Sequence, residues 1–527
     1  MPTDSAPAPL PPVLRPAHTP RRPLAELAAR FGAASADALT GVDVAGITLA
    51  TADLRAGELF VAVRGAQQHG AAHARTAVAR GAVAILTDAA GAALSAGLGV
   101  PVLVVDDPRA ILGEVSAWVY GTDRNLPPIL GITGTNGKTS VSHLMQGILR
   151  ELGVVTGLSS TAERHIGDEV IPSRLTTPEA SEVHALLGLM RERAVDAIIL
   201  EVSAQALTRH RVDGIVFDVA GFTNLSHDHL DDYPDMAAYF EAKLALFRPE
   251  RSRRGVVCLD YPEGVELAAR SEVPVTTIAT RGIADPAASA DWTVTVLDER
   301  ADGTEFRLDG PDERTLTTTV PVIGRHMASN AGVAIVLLFE AGWSWEQLAG
   351  AIDGARIRAD LPGRLERVSG EIGPSVYIDF AHSPDAFEKT LAAVRRITPG
   401  RILMLTGANG DRDRTKRDGM GRTAVLGSDI LVVTDQHPRS EDPAVIRAAV
   451  IAGARAARPD AEIHECAPPE RAIELAVSLV GEGDAILWAG PGHQHYREIA
   501  GARTPFDAAG LARGALRAAG WIPVDAD

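Results

Sequence analysis

The chain has 527 residues, of which 46% are hydrophobic and 23% charged, the balance of a globular protein long enough for several cores. A formal net charge of -17 argues against a nucleic-acid partner, which a basic face would be needed to hold, and leaves small anionic substrates open. Cys258 and Cys466 stand far apart without metal-ligand spacing, so a disulfide framework is excluded and a reducing compartment is expected.

Residues 1–22 hold prolines and basic groups without the apolar segment of a signal peptide, and are expected to be a disordered tail. No stretch approaches the roughly 20 uninterrupted apolar residues of a membrane span, and the expected location is cytoplasmic. Over residues 23–127, strand-like runs (GELFVAV, AVAILTD, VPVLVVDD) alternate with alanine-rich helical segments. TDRNLPP (122–128) reads as a linker, because Pro127 and Pro128 break any helix. Residues 128–360 and 361–527 continue the βα alternation, which predicts an α/β protein with parallel sheets covered by helices. Residues 286–320 differ: DWTVTVLDE, TEFRLDG and RTLTTTVPV read as antiparallel strands of a small β-rich insertion.

At 131–140 the chain reads GITGTNGKTS, one residue out of register with the usual glycine spacing of a phosphate-binding loop. Its context is nonetheless strand, glycine loop, helix: PILGIT precedes it, and Val141, Leu144, Met145, Ile148, Leu149 and Leu152 follow at helical spacing up to Gly153. Gly131, Gly134 and Gly137 allow a tight bend that aims N–H groups at phosphate oxygens. Lys138 is expected to neutralise the β- and γ-phosphates and the Thr139 hydroxyl to ligate Mg²⁺, so the loop is read as binding ATP or GTP. Further on, the apolar run VDAIILE ends on Glu201, a carboxylate where the carboxyl ends of parallel strands bind ligands and suited to Mg²⁺.

The shifted loop G-x-T-G-T-N-G-K-T resembles that of the Mur ligases and their folylpolyglutamate synthetase relatives, ATP-dependent enzymes that form amide bonds. The resemblance implies three domains: an N-terminal UDP-substrate domain, a central P-loop ATPase domain and a C-terminal Rossmann-like domain that takes the amino acid. It implies ATP contacts from Thr133, Gly134, Thr135, Asn136, Gly137, Lys138, Thr139, Asn330, Asp379 and His382. The segment 217–247 resembles the part of the family that supplies a second Mg²⁺ site, with Asn224, Asp228 and His229 matching N-x-x-x-D-H. Carried over, the ligands of two Mg²⁺ ions are Thr139, Glu201, His229 and Lys243, the last as N6-carboxylysine, a carbamate formed from CO₂. A bare ammonium beside Mg²⁺ would repel it, whereas a carbamate helps to hold it. Lys138, Glu201, His229 and Lys243 are thus the expected catalytic set.

Within the family the chain is similar to the branch that makes UDP-N-acetylmuramyl-tripeptides, from about residue 45 to the C-terminus. Thr176 and Thr177 match a Thr-Thr pair that contacts the UDP-linked substrate, and Ser203 and Arg211 match further contacts. Leu49 and Thr51 fall in the uridine-nucleotide segment, with Ala66, Gln67 and Gln68 in the loop that follows. In the last domain four loops carry polar groups, and Arg412, His437, Arg439 and Gln494 are the expected contacts to the incoming amino acid. The resemblance implies addition of a third amino acid, a diamino acid, to UDP-N-acetylmuramoyl-L-alanyl-D-glutamate through an acyl phosphate, by a monomer, in peptidoglycan precursor synthesis.

Departures cluster in the last domain. Enzymes that add meso-diaminopimelate carry Asp-Asn-Pro-Arg and Gly-Lys-Gly-His-Glu, where this chain has Gln436-His437-Pro438-Arg439 and Gly490-Pro491-Gly492-His493-Gln494. Ser203-Ala204-Gln205 stands for a more usual Ser-Ser-His, and Met327 for an asparagine. These changes keep open a paralogue that ligates a different amine, as in secondary metabolism. An inactive nucleotide-binding paralogue is the third reading, against which the intact Lys138, Glu201, His229 and Lys243 stand.

Overall fold

The apolar runs fold into three main sheets, each fed by helices packed on its faces. In this computed structural model the described residues are 11–65, 67–285 and 289–524. The first ten residues of the expected tail, Ala66 of the expected substrate loop and residues 286–288 of the expected insertion lie outside them. Among the described residues no helix is long and apolar enough to cross a membrane.

The first sheet has four parallel strands in sequence order, Ile47–Thr48, Leu59–Ala62, Ala84–Thr87 and Val102–Val104. The helix Leu112–Tyr120 packs on it through Val115, Trp118 and Val119 and ends at Gly121, whose left-handed backbone (φ 65°) suits a residue without Cβ. Residues expected to be a disordered tail take part in this unit from Val13 onward. Val13 is buried, Arg15 forms a buried ion pair with Glu58 at 2.8 Å, and Arg22 lies 5.0 Å over the Trp118 ring. A polar, proline-rich segment with few apolar groups is anchored here by paired charge and cation–π contact, which composition does not register.

The central sheet has eleven strands. The strand Ile129–Thr133, buried throughout, lies between Ala197–Glu201 and Val219–Phe222 and is parallel to both. Chain order reverses across it, which makes its carboxyl end a switch point where ligands bind in such sheets. The shifted glycine loop leaves from that end and runs into the helix Lys138–Glu151, whose Val141, Leu144, Met145, Ile148 and Leu149 are buried. The strands Trp292–Arg300, Gly303–Asp309 and Thr315–Val320 are antiparallel, as the sequence predicts, but they are not a separate insertion. Trp292–Arg300 pairs in parallel with Val275–Thr280, so the three strands form the edge of this same sheet. Trp292 packs against Phe339 and Trp345 at 5.6 and 5.2 Å, tying that edge to the helix Arg325–Glu340.

The third sheet runs Glu366–Arg367, Ser375–Asp379, Ala485–Ala489, Ile402–Thr406, Ile430–Val433, Glu462–Glu465, its last five strands parallel. The loops after Asp379, Thr406, Val433 and Ala489 therefore leave from one edge, side by side. These are the four polar loops singled out in the sequence, and they face the glycine loop across a cleft.

Candidate active site

The glycine loop is held by the segment that follows Phe222. Asn224 accepts the Asn136 N–H at its Oδ1 (3.0 Å) and donates from Nδ2 to the Asn136 carbonyl (3.1 Å), and its own carbonyl accepts the Thr135 N–H (2.9 Å). Gly134 (φ 148°) has the Thr223 hydroxyl where a Cβ would lie, and at Gly137 (φ 88°) a Cβ would approach Asn330 Oδ1 to 2.7 Å. Both glycines are therefore required, which is the physical basis of the shifted spacing. Lys138 Nζ donates to the Gly134 and Thr135 carbonyls at 2.8 and 3.0 Å. Burial lowers its pKa, opposed by the charges of Glu201 and Asp228. Thr135 to Ser140 line the cleft with Asn330, whereas Thr133 and Gly134 lie beneath. Gly137→Ala is expected to weaken nucleotide binding at least about tenfold, since a left-handed non-glycine residue costs about 1–2 kcal/mol before any clash; titration of a fluorescent nucleotide reads the change, and unaltered affinity would contradict the geometry.

Glu201 is buried below the cleft floor. Its oxygens accept from the Thr161 N–H (2.9 Å) and Oγ1–H (2.7 Å), and its carbonyl accepts from the Thr177 hydroxyl (2.7 Å). Thr161, Thr176, Thr177 and Ser203 line the cleft above it, with the Thr176 hydroxyl 3.0 Å from Thr161 Oγ1 and placed to donate to it. His229 also lines the cleft, in a left-handed backbone (φ 59°). The carboxylates whose oxygens gather within 4.8 Å of it are Asp231 and Asp232. Burial lowers the His229 pKa, helped by Lys243, Lys138 and Lys416 against Asp228, and so favours a neutral imidazole. Lys243 is almost fully buried, its Nζ 4.4 Å from the Tyr239 ring centre. Among the described residues no carboxylate comes within ion-pair range of it. Burial first, and the Lys138 charge second, hold its pKa well below the usual lysine value.

The opposite wall comes from the third sheet. Asp379 is buried and accepts the Leu365 and Ala381 N–H groups, each at 2.7 Å; burial raises its pKa against the pull of Arg364. His382 donates from Nδ1 to the Phe380 carbonyl at 2.7 Å, which leaves Nε2 facing Asp228 at 3.6 Å. Asn136 of the glycine loop donates to Asp385 at 2.8 Å, a bond from one sheet's loop to the other sheet's helix. Lys416 reaches back to Asp228 at 2.9 Å in a buried pair. Arg412, Arg439 and Gln494 line this side of the cleft. Arg439 is partly engaged, by Glu498 at 3.1 Å and the Gly410 carbonyl at 2.8 Å.

Four expected contacts lie elsewhere or are occupied. His437 is buried behind Gln494, which it supports rather than replaces at the cleft surface. Arg211 lines the cleft, but its Nε and Nη2 both donate to one oxygen, Glu179 Oε1, each at 2.9 Å, so the fork expected toward a substrate acid is engaged within the chain. Leu49 and Thr51 lie in the first unit, away from the cleft lining. Asp53, at the end of the Thr51 turn, accepts both terminal nitrogens of Arg174 at 2.9 and 3.0 Å, and Leu175 and Thr176 follow directly into the cleft. Sequence reasoning missed Arg364, Lys389 and Lys416, three cations lining the cleft. Lys416 lies four residues after Arg412 in the stretch GDRDRTKR, yet only the sheet order brings it to Asp228, 188 residues away.

A phosphate-binding loop on one sheet, facing an arginine-bearing wall from a second across a shared cleft, defines an ATP-dependent ligase. Descriptions of the Mur ligase family cover most of the chain: its catalytic domain matches residues 43–120, its middle domain 132–338 and its glutamate ligase domain 363–492. The UDP-N-acetylmuramyl-tripeptide synthetase of Leifsonia xyli subsp. xyli is 54% identical over 516 residues, 98% of this chain and 99% of that one. The UDP-N-acetylmuramoyl-L-alanyl-D-glutamate–2,6-diaminopimelate ligase of Streptomyces avermitilis is 44% identical over 497 residues, 94% and 96% of the two chains. A solved structure bearing that second name aligns with a TM-score of 0.62 at 25% identity, over 92% of this chain and 97% of that one. The chain belongs to the Mur ligase family and is an ATP-dependent ligase of peptidoglycan precursor synthesis.

Proposed function

We propose that this ligase joins a third amino acid to UDP-N-acetylmuramoyl-L-alanyl-D-glutamate in the cytoplasm, through an acyl phosphate of the D-glutamyl carboxylate. One observation carries the reading: Lys138 and Thr139, His229, Arg412 and Arg439 open into a single cleft, from four different loops on two sheets. The Leifsonia relative is named for the tripeptide product, and the Streptomyces relative for addition of diaminopimelate to the same dipeptide.

A carboxylate is a poor electrophile toward an amine. Transfer of the γ-phosphoryl group makes it an acyl phosphate; the amine then attacks, and phosphate leaves from a tetrahedral intermediate. Lys138 and the loop N–H groups neutralise charge that builds on the phosphates during the first step. Asn330, beside Gly137, contacts the nucleotide from the loop's own side, and Asp379 and His382 from the other wall. Thr176, Thr177, Ser203 and Arg211 orient the muramyl dipeptide, with Leu49 and Thr51 toward its uridine end. Arg412 and Arg439 hold the α-carboxylate of the incoming amino acid, as arginine forks do. Both walls together keep water from the acyl phosphate.

Two buried lysines, with no carboxylate among the described residues in ion-pair range of Lys243, do not suit a divalent cation while both carry a charge. Burial favours the neutral amine of Lys243, which adds to CO₂ with loss of a proton and becomes an anion; the donor set then fits Mg²⁺. Thr139, Glu201, His229 and carbamylated Lys243 would hold two such ions, which offset charge crowding during phosphoryl transfer. The test is phosphate release from ATP by the purified chain. It should require both the UDP-muramyl dipeptide and an amino acid, with a product heavier by that residue; release indifferent to the UDP-linked acid would overturn the proposal.

A further inference from the structure

The amine that completes the reaction arrives in an unreactive state. At neutral pH an amino acid carries an ammonium, which has no lone pair, so a proton must leave before the acyl phosphate can be attacked. The group that takes it has to be an acceptor on the amino-acid wall with a lone pair to spare. Among the described residues four carboxylates line the cleft: Asp228, Asp231, Asp379 and Asp413. Asp228 is paired with Lys416, and Asp379 accepts two backbone N–H groups. Asp231 is exposed and gathers with His229 and Asp232. Asp413 remains.

Its side chain is only 2% exposed. Oδ1 accepts the Thr415 N–H at 2.9 Å and the Thr415 hydroxyl at 2.5 Å. Oδ2 is buried without a hydrogen bond, and the His227 imidazole stands 3.4 Å from it. The neighbouring cations are turned elsewhere: Lys416 to Asp228 at 2.9 Å, Arg414 to Glu441 at 3.3 Å and Arg417 to Glu441 at 2.9 Å. Asn409, earlier in the same loop, lines the cleft with a second buried acceptor, Oδ1, that also lacks a partner. The loop is held firmly. The Gly410 N–H donates to the His437 carbonyl at 2.8 Å, Arg417 donates to the Asn409 carbonyl at 3.0 Å, and Glu441 accepts the Asp411 N–H at 2.7 Å. Arg412, which precedes Asp413, lines the cleft as well. In an α-amino acid the carboxylate stands one carbon from the amine, so an arginine and a carboxylate on adjacent residues match that pair.

We propose that Asp413 is a catalytic residue of the second step: its Oδ2, with Asn409 Oδ1 as a further acceptor, receives the α-ammonium of the incoming amino acid and takes one of its protons. The freed lone pair forms the C–N bond at the acyl carbon, and the carbonyl π pair moves onto oxygen. That pair then returns, the bond from carbon to the phosphate oxygen breaks, and the departing phosphate takes the surplus proton from nitrogen. Peptide and hydrogen phosphate are left, and Asp413 gives its proton to solvent. The assignment rests on the tripeptide-ligase reading and adds to it the group that readies the amine.

Asp413→Asn is the test, because the amide keeps an oxygen for the Thr415 N–H and hydroxyl while an NH₂ replaces Oδ2. Full-length wild type and variant receive ATP, Mg²⁺ and UDP-N-acetylmuramoyl-L-alanyl-D-glutamate. One arm adds L-lysine, L-ornithine, meso-diaminopimelate or L-homoserine, read by kcat/KM and product mass. The other adds hydroxylamine, which is uncharged at neutral pH and attacks an acyl phosphate without a base to deprotonate it. The variant is expected to lose at least about 10²-fold in kcat/KM for the amino acid that the wild type joins fastest. Its hydroxamate formation and its KM for ATP should stay at the wild-type values. Amino-acid ligation at the wild-type rate, or hydroxamate formation lost together with ligation, overturns the assignment and leaves the tripeptide reading standing. A wild type that joins none of these amino acids and makes no hydroxamate overturns both.

Discussion

Lys243→Ala is expected to lower the rate of ligation by at least about 10²–10³-fold, the scale of losing one preorganised group that stabilises transferring charge. Nucleotide affinity should change little, because the loop around Lys138 is held by Asn224 and Thr223 rather than by Lys243. The reason lies in the environment of the side chain. Its amine is buried against Tyr239, close enough to feel Lys138, and without an ion-pair partner among the described residues. A group so placed is costly as a cation and useful as a nucleophile toward CO₂. Lys243→Arg should be as inactive as the alanine variant, because a guanidinium stays protonated and cannot take up CO₂. Formate or acetate should partly restore the alanine variant by filling the vacated space with a carboxylate. Phosphate release and fluorescent-nucleotide titration separate the two effects, and a Lys243→Ala enzyme at full speed would end the assignment.

Asp228→Asn should destabilise the docking of the third sheet's loops on the central sheet by about 3–5 kcal/mol, the cost of breaking a buried pair on one side only. Asp228 is buried, pairs with Lys416 at 2.9 Å and faces His382 Nε2 at 3.6 Å. Burial alone would raise its pKa, but Lys416, then His229 and His382, outweigh it and leave the carboxyl well below the usual range. A depressed carboxylate contributes stability that is present above its unfolded value, near 4, and lost as pH falls through the folded one. The deficit should therefore appear in full at neutral pH. Removing the charge also strands Lys416 near the other cleft cations. The double variant Asp228→Asn with Lys416→Met should recover much of the loss, and thermal unfolding of the two single variants and the double one reads that coupling. Additive losses would show that the pair is not what joins the two bodies.

The parts of this molecule that were legible in the sequence share a property: their cause is local. The strand, loop and helix around Gly134 and Gly137 follow from apolar periodicity and from glycines whose positive φ no other residue adopts cheaply. The antiparallel strands after Trp292 were legible as strands, but their membership of the central sheet was not, because pairing with Val275–Thr280 is a fact of space. Arg15 looked like tail because composition counts apolar residues and not the buried Glu58 that receives it. Arg211 and His437 were legible as residue types, yet their partners Glu179 and Gln494 were not, and those partners change what each has left to offer. Lys416 and Lys389 are ordinary helix lysines until the order of the third sheet brings them to the cleft.

The bond from Asn136 to Asp385 makes the nucleotide cradle a shared possession of two bodies. A side chain belonging to the loop is positioned by the first turn of a helix on the opposite unit, so the shape that greets ATP exists only while the units touch. Linkage then demands reciprocity: a nucleotide that favours this arrangement of Asn136 tightens the contact between the units, and the contact tightens its grip on the nucleotide by the same factor.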